Sequence, residues 1–169
     1  MQLVSGSLAK FLDSWKHLFE GLGKTDILKH RIYTGDARPV NIPSRRIPYA
    51  LLPQAEEEIR EMLAQDVIEE SASERCAAIV PLKKPDGKMR VAIDYRKLNV
   101  VSTKDAFPMP RVDGILIKLK GAKVFSKLDL RKGYYQIEVD ASDREKTAFM
   151  SKYKLYQFKR MPFGLASAP

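Results

Sequence analysis

Apolar residues at Leu8, Phe11, Leu12, Trp15, Leu18, Phe19 and Leu22 return every three or four positions, the spacing that lines one face of a helix. Ser7 can cap its start and Gly21 or Gly23 can stop it, so the pattern predicts an amphipathic helix whose Trp15 stripe serves packing. The prolines between Arg38 and Pro48 then favour extended chain, because each lacks a donor and biases its predecessor away from the helical region. A second helix is predicted to begin at Pro53. Glu56, Glu57 and Glu58 lie near its positive dipole end, and Ile59, Met62 and Leu63 share one face. Ala77 to Leu82 and Val91 to Ile93 flank a Pro85-Asp86-Gly87 turn and predict a hairpin. Val112, Ile115, Leu116 and Leu119 predict a third helix over Arg111–Leu119, ended near Gly121. Strands are expected at about 124–130, 134–139, 147–150 and 154–159, with Asp140 and Asp143 in a polar turn. The strands carrying Asp129 and Tyr134 are expected to pair antiparallel under the third helix, since their alternating apolar residues need cover.

Composition narrows the class. With 44% hydrophobic residues, 169 residues can bury a core, so one domain or a lobed piece of one is expected. Lys and Arg number 30 against 21 Asp and Glu, a formal charge of +9 that points to a polyanionic partner, nucleic acid first. The single cysteine, Cys76, excludes a disulfide within the chain, offers no metal site and fits a reducing compartment. The start lacks a basic region followed by an apolar stretch, and no run has the length of a membrane span. The expectation is an intracellular protein, cytoplasmic or nuclear, with no membrane partner.

Three features bear on chemistry. Asp129 stands between Leu128 and Leu130 in an apolar run, where a carboxylate is costly unless paired, and a hard divalent cation is a usual partner for such oxygens. Lys83, Lys84, Lys88 and Arg90 ring the hairpin turn, a cluster suited to a triphosphate or to solvent. Basic residues also crowd the span from Lys118 to Lys132 and the acid-free stretch from Lys152 to Arg160. In the latter, Tyr153, Tyr156 and Phe158 alternate with the cations and could stack bases. Two patterns are set aside. Gly23-Lys24-Thr25 lacks the glycine a P-loop needs five positions earlier, where Leu18 sits, and His17 and His30 have no second ligand at metal spacing.

Asp94-Tyr95-Arg96-Lys97-Leu98-Asn99, Phe125-Ser126-Lys127-Leu128-Asp129-Leu130 and Arg160-Met161-Pro162-Phe163-Gly164-Leu165, in that order, resemble the reverse transcriptase of gypsy-type LTR retrotransposons. The resemblance extends over roughly residues 28–169. It implies an α+β fold, the fingers and partial palm of a right-hand polymerase with an antiparallel sheet backed by helices. On that pattern residues 1–29 are an N-terminal helix and linker, 30–100 a fingers-like region and 101–169 a partial palm. Asp129 would be the first catalytic carboxylate, holding magnesium with help from the Leu130 carbonyl. Arg90 and either Lys83 or Lys84 would contact the phosphates of a deoxynucleoside triphosphate. Tyr134 would lie under its sugar and exclude a 2′-hydroxyl, while Phe163 and Gly164 would line the nucleotide pocket, at a place where retroviral relatives carry Gln instead of Phe. The partners implied are an RNA or DNA template-primer and deoxynucleoside triphosphates.

The chain departs from the pattern at Glu74-Arg75-Cys76-Ala77-Ala78, where Pro-Trp-Ala-Ser-Pro is common. A second departure is Ser151-Lys152-Tyr153-Lys154-Leu155 in place of Thr-Pro-Phe-Gly-Leu. The Tyr-x-Asp-Asp motif that supplies the other catalytic carboxylates is not among these 169 residues. A polymerase fragment inactive by itself is therefore expected, against the alternatives of a non-catalytic nucleic-acid-binding module or a pseudogene product.

Overall fold

The computed structural model describes residues 6–43, 45–83, 89–104, 110–152 and 154–168. Helix α1 (Gly6–Ser14) continues as a 3₁₀ turn over Lys16–Phe19. Strand β1 (Lys29–His30) precedes helix α2 (Leu52–Ala64), which has Pro53 in its first turn, where a missing N–H costs nothing. Next come β2 (Ile68–Glu70), β3 (Ala78–Lys83), β4 (Met89–Asp94) and the short helix α3 (Arg96–Val101). Helix α4 (Val112–Leu119), β5 (Glu138–Val139), β6 (Phe149–Met150) and β7 (Leu155–Phe158) complete the order.

β3 and β4 form the predicted hairpin, in register from Ala78 opposite Asp94 to Lys83 opposite Met89. β2, β7 and β6 make an antiparallel sheet with β7 in the centre, and β1 pairs parallel with β5. Single bridges from Ala77 to Phe149 and from Glu138 to Arg160 stitch these pieces together. α2 backs the hairpin and β2: Ala55, Ile59 and Met62 are buried on one face, as the apolar spacing requires. Ile68, Tyr95, Phe149 and Phe158 lie with them in one apolar cluster.

The sequence did not mark β1, β2 or α3, because two- and three-residue strands carry no periodicity and α3 is a single short helix. The 3₁₀ turn Gly133–Gln136 takes the place of the first part of the strand expected over 134–139. Residues 122–130 are irregular and exposed instead of forming the expected strand, and α4 buries none of its residues. The expected antiparallel pairing of the Asp129 and Tyr134 segments beneath the third helix is thus not what forms. A strand needs a neighbour for its backbone donors and acceptors, and no described strand lies beside 122–130. Val112, Leu116, Phe125 and Leu128 consequently face solvent.

Asp143 ties the two ends of the sequence together. Its buried carboxylate accepts from the Ile32 N–H at 2.9 Å, from Arg31 Nε at 3.0 Å and from Lys146 Nζ at 2.6 Å. Burial alone would raise its pKa, but these three donors outweigh that and hold it below the ordinary carboxylate value. Asp94 is held down to about 2, chiefly by hydrogen bonds from Arg96. Carboxylates depressed in this way contribute stability at pH values above their unfolded pKa near 3.8 and lose it as pH falls through the folded value. Thermal melts of the wild-type chain should therefore fall steeply below about pH 4, and Asp143→Asn should flatten that fall. Asp143→Ala should cost about 3 kcal/mol at neutral pH by leaving Lys146 without its buried partner.

Candidate nucleotide and nucleic-acid site

The loop after β7 crosses the molecule at the end of the hairpin. Met161, which is buried, donates its N–H to the Ile137 carbonyl at 2.8 Å and thereby places Phe163 beside the 3₁₀ turn of Gly133–Gln136. The Tyr134 ring meets Phe163 edge-on with centroids 5.0 Å apart, and Tyr135 does the same at 5.3 Å. Edge-to-face geometry sets the positive rim of one ring against the negative face of the other. Arg90, near the start of β4, lays its guanidinium carbon 4.4 Å from the centre of the Phe163 ring. Gly164 follows at φ +92, a left-handed conformation that glycine adopts without strain.

Arg90, Tyr134 and the adjacent pair Phe163-Gly164, from three separate stretches of sequence, are thus gathered into one patch. Tyr135, which the sequence reading did not single out, belongs to it. Burial raises the Tyr135 phenol to about 12, so it stays protonated at neutral pH. Its signal in the sequence was only its place beside Tyr134. Lys132, in the left-handed region at φ 48, turns the chain into this segment and lies 5.8 Å from the Tyr135 ring. Lys83 ends β3 opposite Met89, whereas Lys84 and Lys88 lie outside the described residues.

Asp129 and Leu130 precede this patch on the irregular stretch, both exposed. Among the described residues no three His, Cys, Asp or Glu side chains converge as a metal cluster. Asp140 accepts from the Ser142 hydroxyl at 2.7 Å and Asp143 is spent on its own ion pairs, so neither joins Asp129.

The aromatic residues proposed to stack bases in the 152–160 stretch are placed otherwise. Tyr156 and Phe158 are buried around Phe149, with ring centroids at 6.0 and 5.3 Å, because they point inward from the central strand β7. Tyr153 lies outside the described residues. Lys159 pairs with Asp66 at 2.6 Å, Lys154 pairs with Glu70, and Arg160 is buried. Exposed cations remain along Lys118, Lys120, Lys123, Lys127 and Arg131. A groove lined by Arg45, Arg46, Tyr49 and Lys152 adds a cationic surface with an exposed aromatic ring, which the proline-rich sequence had marked only as lead-in.

Residues 82–169 match the family described as Reverse transcriptase (RNA-dependent DNA polymerase). The chain belongs to that family. It is 41% identical over 174 residues to the retrovirus-related Pol polyprotein from transposon 297 of Drosophila melanogaster, covering 98% of this chain and 16% of the polyprotein. The reverse transcriptase fold is equally evident in space. Prototype foamy virus protease-reverse transcriptase (CSH mutant) superposes with a TM-score of 0.85 at 27% identity, covering 96% of this chain and 22% of that one. The foamy viral enzyme in complex with double-stranded DNA gives 0.82 at 26% identity, covering 98% and 37%. The resemblance to retrotransposon reverse transcriptases and the α+β fold of fingers and partial palm read from the sequence both hold. The chain spans about a sixth of the transposon polyprotein it matches, and among the described residues no helix is long and apolar enough to cross a membrane.

Proposed function

We propose that this reverse transcriptase region binds the incoming deoxynucleoside triphosphate and supplies one of several carboxylates for magnesium-dependent nucleotidyl transfer onto a primer 3′-hydroxyl. What supports this is the convergence of Arg90, Tyr134 and Phe163, a cation and two rings from separate elements, on one half-buried patch. Arg90 offers a planar, permanently charged fork suited to phosphate oxygens, joined by Lys83 or Lys84 from the hairpin. Tyr134 presents its ring to the sugar, and Phe163 with Gly164 forms the floor of the nucleotide pocket.

Asp129 and the Leu130 carbonyl are oxygen donors of the kind magnesium takes, but one carboxylate and one carbonyl are only part of a near-octahedral shell. Two bound magnesium ions would activate the primer hydroxyl and stabilise the leaving pyrophosphate. The residues present do not complete either ion's site, so no step is assigned to them without further carboxylates. Asp129 faces solvent beside Lys127 and Arg131, where it can meet donors from elsewhere in a longer polypeptide.

In a polypeptide that continues through Tyr-x-Asp-Asp, Arg90→Ala should raise the KM for nucleotides with kcat little changed. One charge-assisted phosphate contact is worth about 1.5 to 3 kcal/mol, roughly a 10- to 100-fold rise. An unchanged KM would remove Arg90 from the site. Binding of RNA or DNA template-primer should be sequence-independent and salt-dependent, because contacts along Lys118 to Arg131 and in the Arg45 groove would release counterions. Filter binding between 50 and 200 mM salt checks this, and an affinity independent of salt would contradict it. A non-catalytic nucleic-acid-binding module would share the salt dependence but not the effect of Arg90 on nucleotide KM.

A further inference from the structure

The loop that carries Phe163 is fastened by a residue outside the aromatic patch. Asn99, half-buried on α3, donates from Nδ2 to the Gly164 carbonyl at 2.8 Å and accepts at Oδ1 from the Ala166 N–H at 2.9 Å. A side-chain amide offers a donor and an acceptor side by side, which neither a carboxylate nor an aliphatic chain of the same shape can do. The two bonds straddle Leu165, which is itself buried in the core, so the loop is gripped on both sides of its apolar anchor. α3 is fixed in turn. The Asn99 N–H donates to the Tyr95 carbonyl at 2.8 Å, and the buried Tyr95 hydroxyl donates to the Thr147 carbonyl at 2.8 Å. A Cβ on Gly164 would lie 3.9 Å from the Tyr95 ring, so the loop also rests on that anchor.

Phe163 immediately precedes the clamped Gly164. Its ring direction, and with it the surface on which Arg90 lies and against which Tyr134 packs, follows from where the loop is held. We propose that Asn99 is a positioning residue for the nucleotide site. Through the Gly164 and Ala166 backbone it sets the Phe163 ring, and it acts on nucleotide binding more than on the chemical step. This rests on the nucleotide-site reading given above.

The test is a double-mutant cycle in an extended, polymerase-competent polypeptide, with template-primer saturating and nucleotide KM and kcat measured for Asn99→Ala, Phe163→Leu and the pair. Asn99→Ala should raise the nucleotide KM about 10-fold, the effect of two neutral hydrogen bonds, with kcat within about twofold. The pair should match Phe163→Leu alone, because the ring that Asn99 places is gone. Asn99→Asp, which keeps the acceptor for Ala166 but turns an oxygen on the Gly164 carbonyl, should behave like Asn99→Ala and decides the matter if the alanine variant does not fold. Additive effects, or a kcat loss that tracks a lowered Tm with KM unmoved, would overturn the proposal and leave Asn99 a stability residue. Arg90→Ala separates the two readings. If its KM rises while both Asn99 variants leave KM unchanged, only the clamp fails; if Arg90→Ala also leaves KM unchanged, the nucleotide site itself is wrong.

Discussion

Asp129→Asn in a polypeptide extended through the remaining palm carboxylates should reduce primer extension by at least about 1,000-fold, or roughly 4 kcal/mol in the barrier. The amide has nearly the shape of the carboxylate but no charge, so it removes the charge with which Asp129 would hold divalent ions. Asp129 is exposed and is neither hydrogen-bonded nor ion-paired to any described residue. The substitution should consequently leave the melting temperature within about a degree, as surface changes usually do. A large activity loss with an unchanged melt is the signature of a site residue. Nucleic-acid affinity should also survive, since the cations from Lys118 to Arg131 are untouched. An Asp129→Asn enzyme that keeps a tenth or more of its activity would remove this residue from the catalytic set.

Tyr134→Val should leave deoxynucleotide incorporation largely intact and admit ribonucleotides, lowering sugar discrimination by roughly 10- to 100-fold. The ring is half-buried and held edge-on by Phe163, so it is a fixed obstacle and not a mobile one. Removing it would open space on the proposed sugar side while leaving Arg90 and its proposed phosphate contacts in place. Losing one aromatic pair should cost about 0.5 to 1.5 kcal/mol of stability. Incorporation of matched deoxy- and ribonucleotide pairs by the two enzymes measures this directly, and an unchanged ratio would show that Tyr134 is packing alone.

How much of this was legible in the sequence depended on where each segment finds its partners. α2 and the β3–β4 hairpin stood out because their apolar spacing, Pro53 and the Pro85-Asp86-Gly87 turn are local signals. The segment around Asp129 looked like a strand from its alternating Val124, Leu128 and Leu130, yet alternation describes a face and cannot supply a neighbouring backbone. Tyr156 and Phe158 illustrate the converse. Among lysines they resembled a stacking surface, but the central position of β7 turns them into the core. Arg90, Tyr134, Phe163 and Gly164 were named from motif order, and the fold draws them together. The clamp by Asn99 was invisible, because a bond spanning 65 residues leaves no trace in spacing.

We propose that these 169 residues form the nucleotide-binding part of a polymerase site that needs further carboxylates to act. Primer extension measured side by side tests it most directly, using the polypeptide of residues 1–169 and one continued through Tyr-x-Asp-Asp, each with magnesium, template-primer and all four deoxynucleotides. No extension by the first and Asp129-dependent extension by the second are expected. Robust Asp129-dependent synthesis by residues 1–169 alone would contradict the proposal.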